Sequence, residues 1–251
     1  MLGRQTHSNK GKSALLTPPL LDSDIQVWCA SLEASLWDLT SFTDQLSADE
    51  KIRAERFHFT RDRDRYIIGR GLLRALLGGY LQRDPSDIKF NYGAYGKPAL
   101  ADKVNGRALE FNLSNSNDMV VYIFNWDDPV GIDIEYAHPM KDMDDFALQF
   151  FTPDECALIR SLPMEQKQKT FFKLWTCKEA YLKANGSGLT TPLNQVEVSF
   201  TNKDTASLIP LGNDHEQTMR WRLELFTPAE GYQASLAREE SQKLVVFHKL
   251  I

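Results

Sequence analysis

Apolar and polar positions change period several times along this chain, and each change marks an element. Ile25–Ser31 alternates as a strand does. Ser47-Ala48-Asp49-Glu50 forms a complete capping box, predicting a helix through Phe57, a break around His58–Arg61 and a second helix over Asp64–Leu81. That second helix carries an apolar stripe of Tyr66, Leu73, Leu76, Leu77 and Tyr80. Asp84-Pro85 stops it. Ile88–Tyr92 reads as a strand, Tyr95-Gly96-Lys97-Pro98 as a turn, and Leu109–Leu113 and Met119–Phe124 as further strands. After the polar connector Asn125–Pro129 the pattern restarts. Val130–Glu135 is a strand, Thr152-Pro153-Asp154-Glu155 opens a helix with Thr as N-cap and Pro at its first position, and Lys169–Lys183 is a long buried helix. Asn185-Gly186-Ser187-Gly188 ends that helix, and strands follow at Val196–Phe200, Arg220–Phe226 and Tyr232–Leu236.

The restart suggests a duplication. An offset of 105 carries Ile25–Trp28 onto Val130–Asp133, Asp49-Glu50 onto Asp154-Glu155, Tyr66-Ile67 onto Phe171-Phe172 and Ala75 onto Ala180. Identities are few, so chance agreement stands as the alternative. A true repeat predicts an α+β fold of two similar halves about a pseudo-twofold axis, 23–126 and 127–251, behind a flexible polar tail of 1–22, with a ligand cleft between the halves. Under this offset Arg74 falls opposite Glu179, which suits one half binding anions and the other a cation.

Composition narrows the class. The chain has 251 residues, 42% hydrophobic and 25% charged, enough for a sizeable core. Its three cysteines, Cys29, Cys156 and Cys177, form no CxxC pair, and its five histidines show no ligand spacing, so neither a zinc site nor a disulfide framework is expected. No apolar run approaches a membrane span, and the N-terminal segment lacks a signal-peptide core; a cytoplasmic protein is expected. Net charge is −5, yet Lys51–Arg74 holds eight basic residues against three acidic ones. A local basic patch on an acidic protein points to a specific anionic ligand rather than to nucleic acid; a solvated arginine-rich helix face explains the feature equally well by itself.

Two stretches carry candidate chemistry. On the helix through Phe171–Lys183, Glu179 and Lys183 are four apart and share a face with Trp175, with Lys178 about 100° away. A surface salt bridge is the plain alternative. In Gly131-Ile132-Asp133-Ile134-Glu135 the alternation puts Asp133 and Glu135 on one face and Val130, Ile132 and Ile134 on the other, toward the core. Two acids on one half-buried face repel unless a cation bridges them. Mg²⁺ with oxygen ligands is the natural candidate, Glu179 a third carboxylate, and a pair of merely exposed edge residues the alternative.

Gly131–Glu135 (GIDIE), followed about forty residues on by Trp175–Lys183 (WTCKEAYLK), resembles the signature of the Sfp-type 4′-phosphopantetheinyl transferases. Tyr95–Pro98 (YGKP), Phe111–Ser114 (FNLS) and Phe150–Glu155 (FFTPDE) match further blocks in the right order. The similarity spans residues 24–236 and has the flavour of the longer bacterial members, the cyanobacterial HetI-like branch among them. It implies two pseudo-symmetric α+β halves, each with strands and a long helix on an antiparallel sheet. The implied reaction transfers the phosphopantetheine arm of coenzyme A to a serine of an apo acyl or peptidyl carrier protein, releasing adenosine 3′,5′-bisphosphate. The resemblance also implies that Asp133, Glu135 and Glu179 are Mg²⁺ carboxylates and Lys183 a pyrophosphate contact. Lys97 and Ser114 then serve the 3′-phosphate end of coenzyme A, and Lys51 and Arg65 other phosphate contacts. Glu179, directly or through a metal-bound water, is the candidate base.

One block departs from the pattern. Where the family usually has Asn-x-Ser-His-Ser, this chain has Asn112-Leu113-Ser114-Asn115-Ser116, so a charge-assisted contact becomes neutral at Asn115. Tyr136–Lys141 and Phe146–Phe151 are placed to form an apolar and basic lip for the carrier, or simply a loop and a packed helix. Two rival readings remain: another Mg²⁺-dependent phosphoryl hydrolase, and a non-catalytic module binding coenzyme A or a carrier. A fused duplication favours a monomer.

Overall fold

A computed structural model describes residues 17–93, 96–186, 192–211 and 219–250. The first half comprises β1 (Asp24–Ser31), α1 (Leu39–Gln45), α2 (Ala48–Glu55), α3 (Thr60–Leu81), the short hairpin β2 (Phe90–Tyr92) and β3 (Pro98–Leu100), β4 (Leu109–Ser116) and β5 (Met119–Trp126). The second comprises β6 (Val130–Tyr136), α4 (Met143–Phe150), α5 (Pro153–Ser161), α6 (Met164–Asn185), β7 (Val196–Phe200), β8 (Thr205–Pro210), β9 (Trp221–Phe226), β10 (Tyr232–Glu239) and β11 (Leu244–Leu250). The α+β class expected from the pattern is the one observed.

The two halves repeat one topology. In one sheet β1 pairs antiparallel with β5 and β5 with β4; in the other β6 pairs antiparallel with β10 and β10 with β9. Each sheet buries one face under its long helix. Ile68, Leu72, Leu73, Leu76 and Leu77 of α3 pack with Trp28, Phe111, Tyr122 and Phe124. Phe171, Phe172, Leu174 and Leu182 of α6 pack with Val198, Leu208, Leu223 and Leu225. The opposite faces meet in a third cluster, where Val27, Val121 and Ile123 face Val130, Ile132, Ile134 and Leu236. Strands buried on both faces read as nearly continuous apolar runs, which is the character of β5 and the inner residues of β6.

Among the described residues, each half contains a matching buried ion-pair network. Glu50, third residue of α2 and half of its capping box, holds Arg74 of α3 at 2.7 Å, and Arg74 also donates to the carbonyls of Pro85 and Ile88. Glu155, third residue of α5 and half of its capping box, holds Lys178 of α6 at 2.7 Å, and Lys178 donates to the carbonyls of Leu193 and Val196. In both cases a helix-capping carboxylate fixes the long helix, and the long helix's cation satisfies the turn that follows it. Buried charges require such full pairing.

Several expectations need correction. The counterpart of Arg74 is Lys178, not Glu179: within the long helices the offset is 104, so Ala75 and Gly79 occupy the places of Glu179 and Lys183. Arg74 is therefore a structural cation, 1% exposed, and not part of an anion-binding surface. Helix α3 begins at Thr60, earlier than Asp64, and α1, capped by Asp38, is an addition to the predicted elements: its seven residues pack only Leu39 and Phe42 on the core, too short a stripe to show a helical period. Of the tail, residues 1–16 lie outside the described residues, while 17–22 are anchored: the Pro19 carbonyl accepts from Gln26, the Leu20 carbonyl from Trp126, and Asp22 pairs with Arg107. The division at 126/127 fails for the last strand. β11 pairs in parallel with β1, so Leu244–Leu250 completes the sheet of the first half. Tyr95 of the expected turn and Ser187-Gly188 of the expected helix stop lie outside the described residues, but α6 does end at Gly186 in the left-handed conformation (φ 74°), as an αL cap requires.

Candidate active site

β6 and α6 lie against each other, and their sequences explain why they can. A Cβ on Gly131 would overlap the Ala180 carbonyl oxygen and come within 2.5 Å of the Ala184 nitrogen. The glycine of the GIDIE stretch is therefore a close-approach residue, bringing strand and helix backbones together beside Asp133. The strand alternation then aims Asp133 and Glu135 toward the Glu179–Lys183 face of α6.

Asp133 is the centre of this cluster. It is 3% exposed; its Oδ1 accepts from Lys183 Nζ at 2.6 Å and from Ser114 Oγ at 2.8 Å. Lys183 Nζ also donates to Ser114 Oγ at 2.9 Å, closing a triangle. Asp133 Oδ2 is buried without a hydrogen-bond partner. Glu135 accepts from Ser116 Oγ at 2.8 Å. Burial and then the Asp133 charge push the Glu135 carboxyl above the usual range, and the same two causes raise Glu179, with Lys183 opposing. Both glutamates thus feel the charge of Asp133.

The donor chemistry fits a hard divalent cation: carboxylate oxygens that repel, and one buried Oδ2 with nothing to bind. The fit is one of charge rather than of assembled coordination. Among the described residues no three His, Cys, Asp or Glu groups are gathered as a ligand set, and the Lys183 ammonium stands on Asp133 Oδ1.

Strand β4 links this cluster to a second feature. Ser114 and Ser116 reach the β6 carboxylates, and Asn112 Oδ1 accepts the Ile132 amide at 3.1 Å, so alternate residues of one strand tie β4 to β6. Asn115, pointing the other way, lines a cleft of about 470 Å³ with Arg53, Arg65, Tyr66, Arg70 and Asn117; Ser116 lines it too, so cleft and carboxylates adjoin. Arg65 is held by Asp118, by Asn117 Oδ1 at 3.2 Å and by Asp62 at 3.7 Å.

The structure therefore brings Asp133, Glu135, Glu179, Lys183 and Ser114 into one cluster and Arg65 and Asn115 into the adjoining cleft. Ser114 sits with the carboxylates rather than among the arginines. Lys97 donates to the Lys183 carbonyl at 2.6 Å, at the C-terminal end of α6, where burial lowers its pKa against the pull of Glu110. A cation there also complements the helix dipole. Lys51, on α2, does not line the cleft. Sequence reasoning missed Asn112 and Ser116, although their spacing from Ser114 marks one strand face, and it missed Arg53, Tyr66 and Arg70. Lys178, open from sequence, belongs to the Glu155 network. Of the expected carrier lip, Tyr136, Phe146 and Leu148 are exposed while Phe151 is core, and α4 begins with Asp144 and Asp145 rather than basic residues.

Two halves of like topology thus set a carboxylate–lysine cluster beside a basic cleft, and the comparisons say to which class of protein this arrangement belongs. A family model described as the 4′-phosphopantetheinyl transferase superfamily matches residues 129–237, and one described as 4′-phosphopantetheinyl transferase, N-terminal, matches residues 30–125. The 4′-phosphopantetheinyl transferase HetI of Nostoc sp. is 44% identical over 189 residues, covering 75% of this chain and 79% of that protein. The 4′-phosphopantetheinyl transferase Sfp of Bacillus subtilis is 30% identical over 174 residues, covering 69% and 75%. The chain belongs to the 4′-phosphopantetheinyl transferase family. Among the described residues no helix is long and apolar enough to cross a membrane.

Proposed function

We propose that this protein moves the 4′-phosphopantetheine arm of coenzyme A onto a serine hydroxyl of an apo acyl or peptidyl carrier protein, releasing adenosine 3′,5′-bisphosphate, with Mg²⁺ as cofactor. The observation that carries the reading is the Asp133–Lys183–Ser114 triangle, with a buried, unpartnered Asp133 oxygen and two further carboxylates, adjoining an arginine-lined cleft through Ser116.

Asp133, Glu135 and Glu179 are the residues that would hold the metal. When bound, Mg²⁺ would neutralise charge that grows on the adenosine bisphosphate leaving group as the pyrophosphate link breaks. Lys183 adds a compact positive charge beside the pyrophosphate and keeps Asp133 in place. Glu179, half-buried beside Asp133, is assigned removal of the serine proton. Arg53, Arg65 and Asn115 are assigned to the nucleotide phosphates. Lys97 holds the end of α6 and with it the position of Lys183.

The test is to incubate the protein with coenzyme A, Mg²⁺ and an apo carrier, and to weigh the intact carrier. Gain of one phosphopantetheine arm supports the reading. Hydrolysed coenzyme A beside an unchanged carrier points to a hydrolase, and neither product to a binding module. Asp133→Ala and Glu179→Ala should each lose transfer while keeping the wild-type melting temperature within a few degrees; a wild-type rate in either sinks the three-carboxylate assignment.

A further inference from the structure

The cleft contains a guanidinium that the protein itself pairs only in part. Arg70 is 8% exposed, and its Nη1 is buried without a hydrogen-bond partner. The nearest carboxylate, Glu50, is committed to Arg74 at 2.7 Å and stands 3.9 Å from Arg70 Nε. One carboxylate thus serves two guanidiniums. The guanidinium of Arg70 lies near the rings of Phe90 and Tyr92, at 5.7 and 5.8 Å, which orient it but supply no acceptor. Beside it the Tyr66 hydroxyl is buried, has Arg70 as its neighbour and makes no well-aligned hydrogen bond, so its proton is a second donor facing the same cleft. Arg65, by contrast, is already paired with Asp118 and Asp62.

We propose that Arg70, assisted by the Tyr66 hydroxyl, binds the 3′-phosphate monoester of coenzyme A and replaces the cationic contact that Asn115 cannot make. The inference rests on the coenzyme A reading of this cleft and adds its phosphate-recognition residue. A buried guanidinium with an open donor edge suits an anion with several acceptor oxygens, and a dianionic monoester offers them. The pyrophosphate is assigned to the Lys183 cluster across β4, which leaves the monoester for the arginine side. Burial keeps the Tyr66 phenol protonated and so a donor.

The experiment compares wild type, Arg70→Gln and Tyr66→Phe with coenzyme A and with 3′-dephospho-coenzyme A. It also measures calorimetric binding of adenosine 3′,5′-bisphosphate and adenosine 5′-monophosphate without any carrier. Loss of a hydrogen bond to a charged group predicts a KM for coenzyme A and a Kd for the bisphosphate raised about 10-fold or more in Arg70→Gln. The KM for the dephospho form should move less than about 2-fold, so preference for the phosphorylated cofactor collapses. Tyr66→Phe should shift the same preference by about 3-fold. Equal losses with both cofactors indicate a merely structural arginine and overturn the proposal, as do unchanged constants or a wild type that binds the two nucleotides equally. Failure of the coenzyme A reading itself is separate: there the wild type leaves the carrier unmodified.

Discussion

Gly131→Ala is the sharpest probe of how the fold builds the site. Gly131 does not have positive φ, so alanine meets no backbone penalty and the whole effect is contact. The added Cβ would overlap the Ala180 carbonyl oxygen and lie 2.5 Å from the Ala184 nitrogen. Ordinary contact distances are roughly 3.5 Å, so strand and helix must part by at least about 1 Å. Both obstacles are backbone and cannot rotate aside, which places the cost near the upper end of overpacking, about 3 kcal/mol. In a chain of this size that lowers Tm by roughly 6–12 °C. The same separation acts on Lys183 and Glu179 relative to Asp133, and a misplacement of about 1 Å costs on the order of 100-fold in rate. Thermal unfolding followed by circular dichroism and the carrier-mass assay read the two effects separately. A variant with wild-type Tm and wild-type rate would refute close β6–α6 contact as the reason for glycine.

Lys178→Met leaves Glu155 buried without its cation and two carbonyls without a donor, so urea unfolding should show a loss of roughly 3–5 kcal/mol. Glu155→Leu in the same chain should restore only part, because the Val198 and Thr152 amides then lose their acceptor. A loss under about 1 kcal/mol in the single variant contradicts the network. Burial pushes the Cys29 thiol up to about 11 and Cys177 up to about 12, and raises Cys156, so none of the three should react with a thiol reagent at pH 8 until the protein is unfolded. Rapid labelling of the native protein at any of them refutes that burial. Asn115→His should lower the KM for coenzyme A, most at mildly acid pH where the imidazole is charged, and should partly rescue Arg70→Gln. An unchanged or higher KM contradicts a phosphate near residue 115.

The sequence alone determined the elements and the faces within them. Alternation over Gly131–Glu135 put Asp133 and Glu135 on one side of β6, and the four-residue step put Glu179 and Lys183 on one side of α6. The Ser47–Glu50 and Thr152–Glu155 boxes fixed two helix starts, and the offset of 105 suggested two similar halves without deciding between repeat and chance. Only the tertiary structure decided which face meets which neighbour. Lys178 and Glu179 are adjacent in sequence, yet one is sealed into the Glu155 network and the other faces the carboxylates. Arg74, counted from sequence as part of a basic patch, is consumed by Glu50, while Arg70 one turn earlier keeps an open donor edge in the cleft. The crossing of β11 to β1 was equally invisible. Periodicity is set by local backbone geometry and is written in each segment, whereas partners are chosen by packing between segments distant in the chain, where burial decides which charge must be paired and which is left for a ligand.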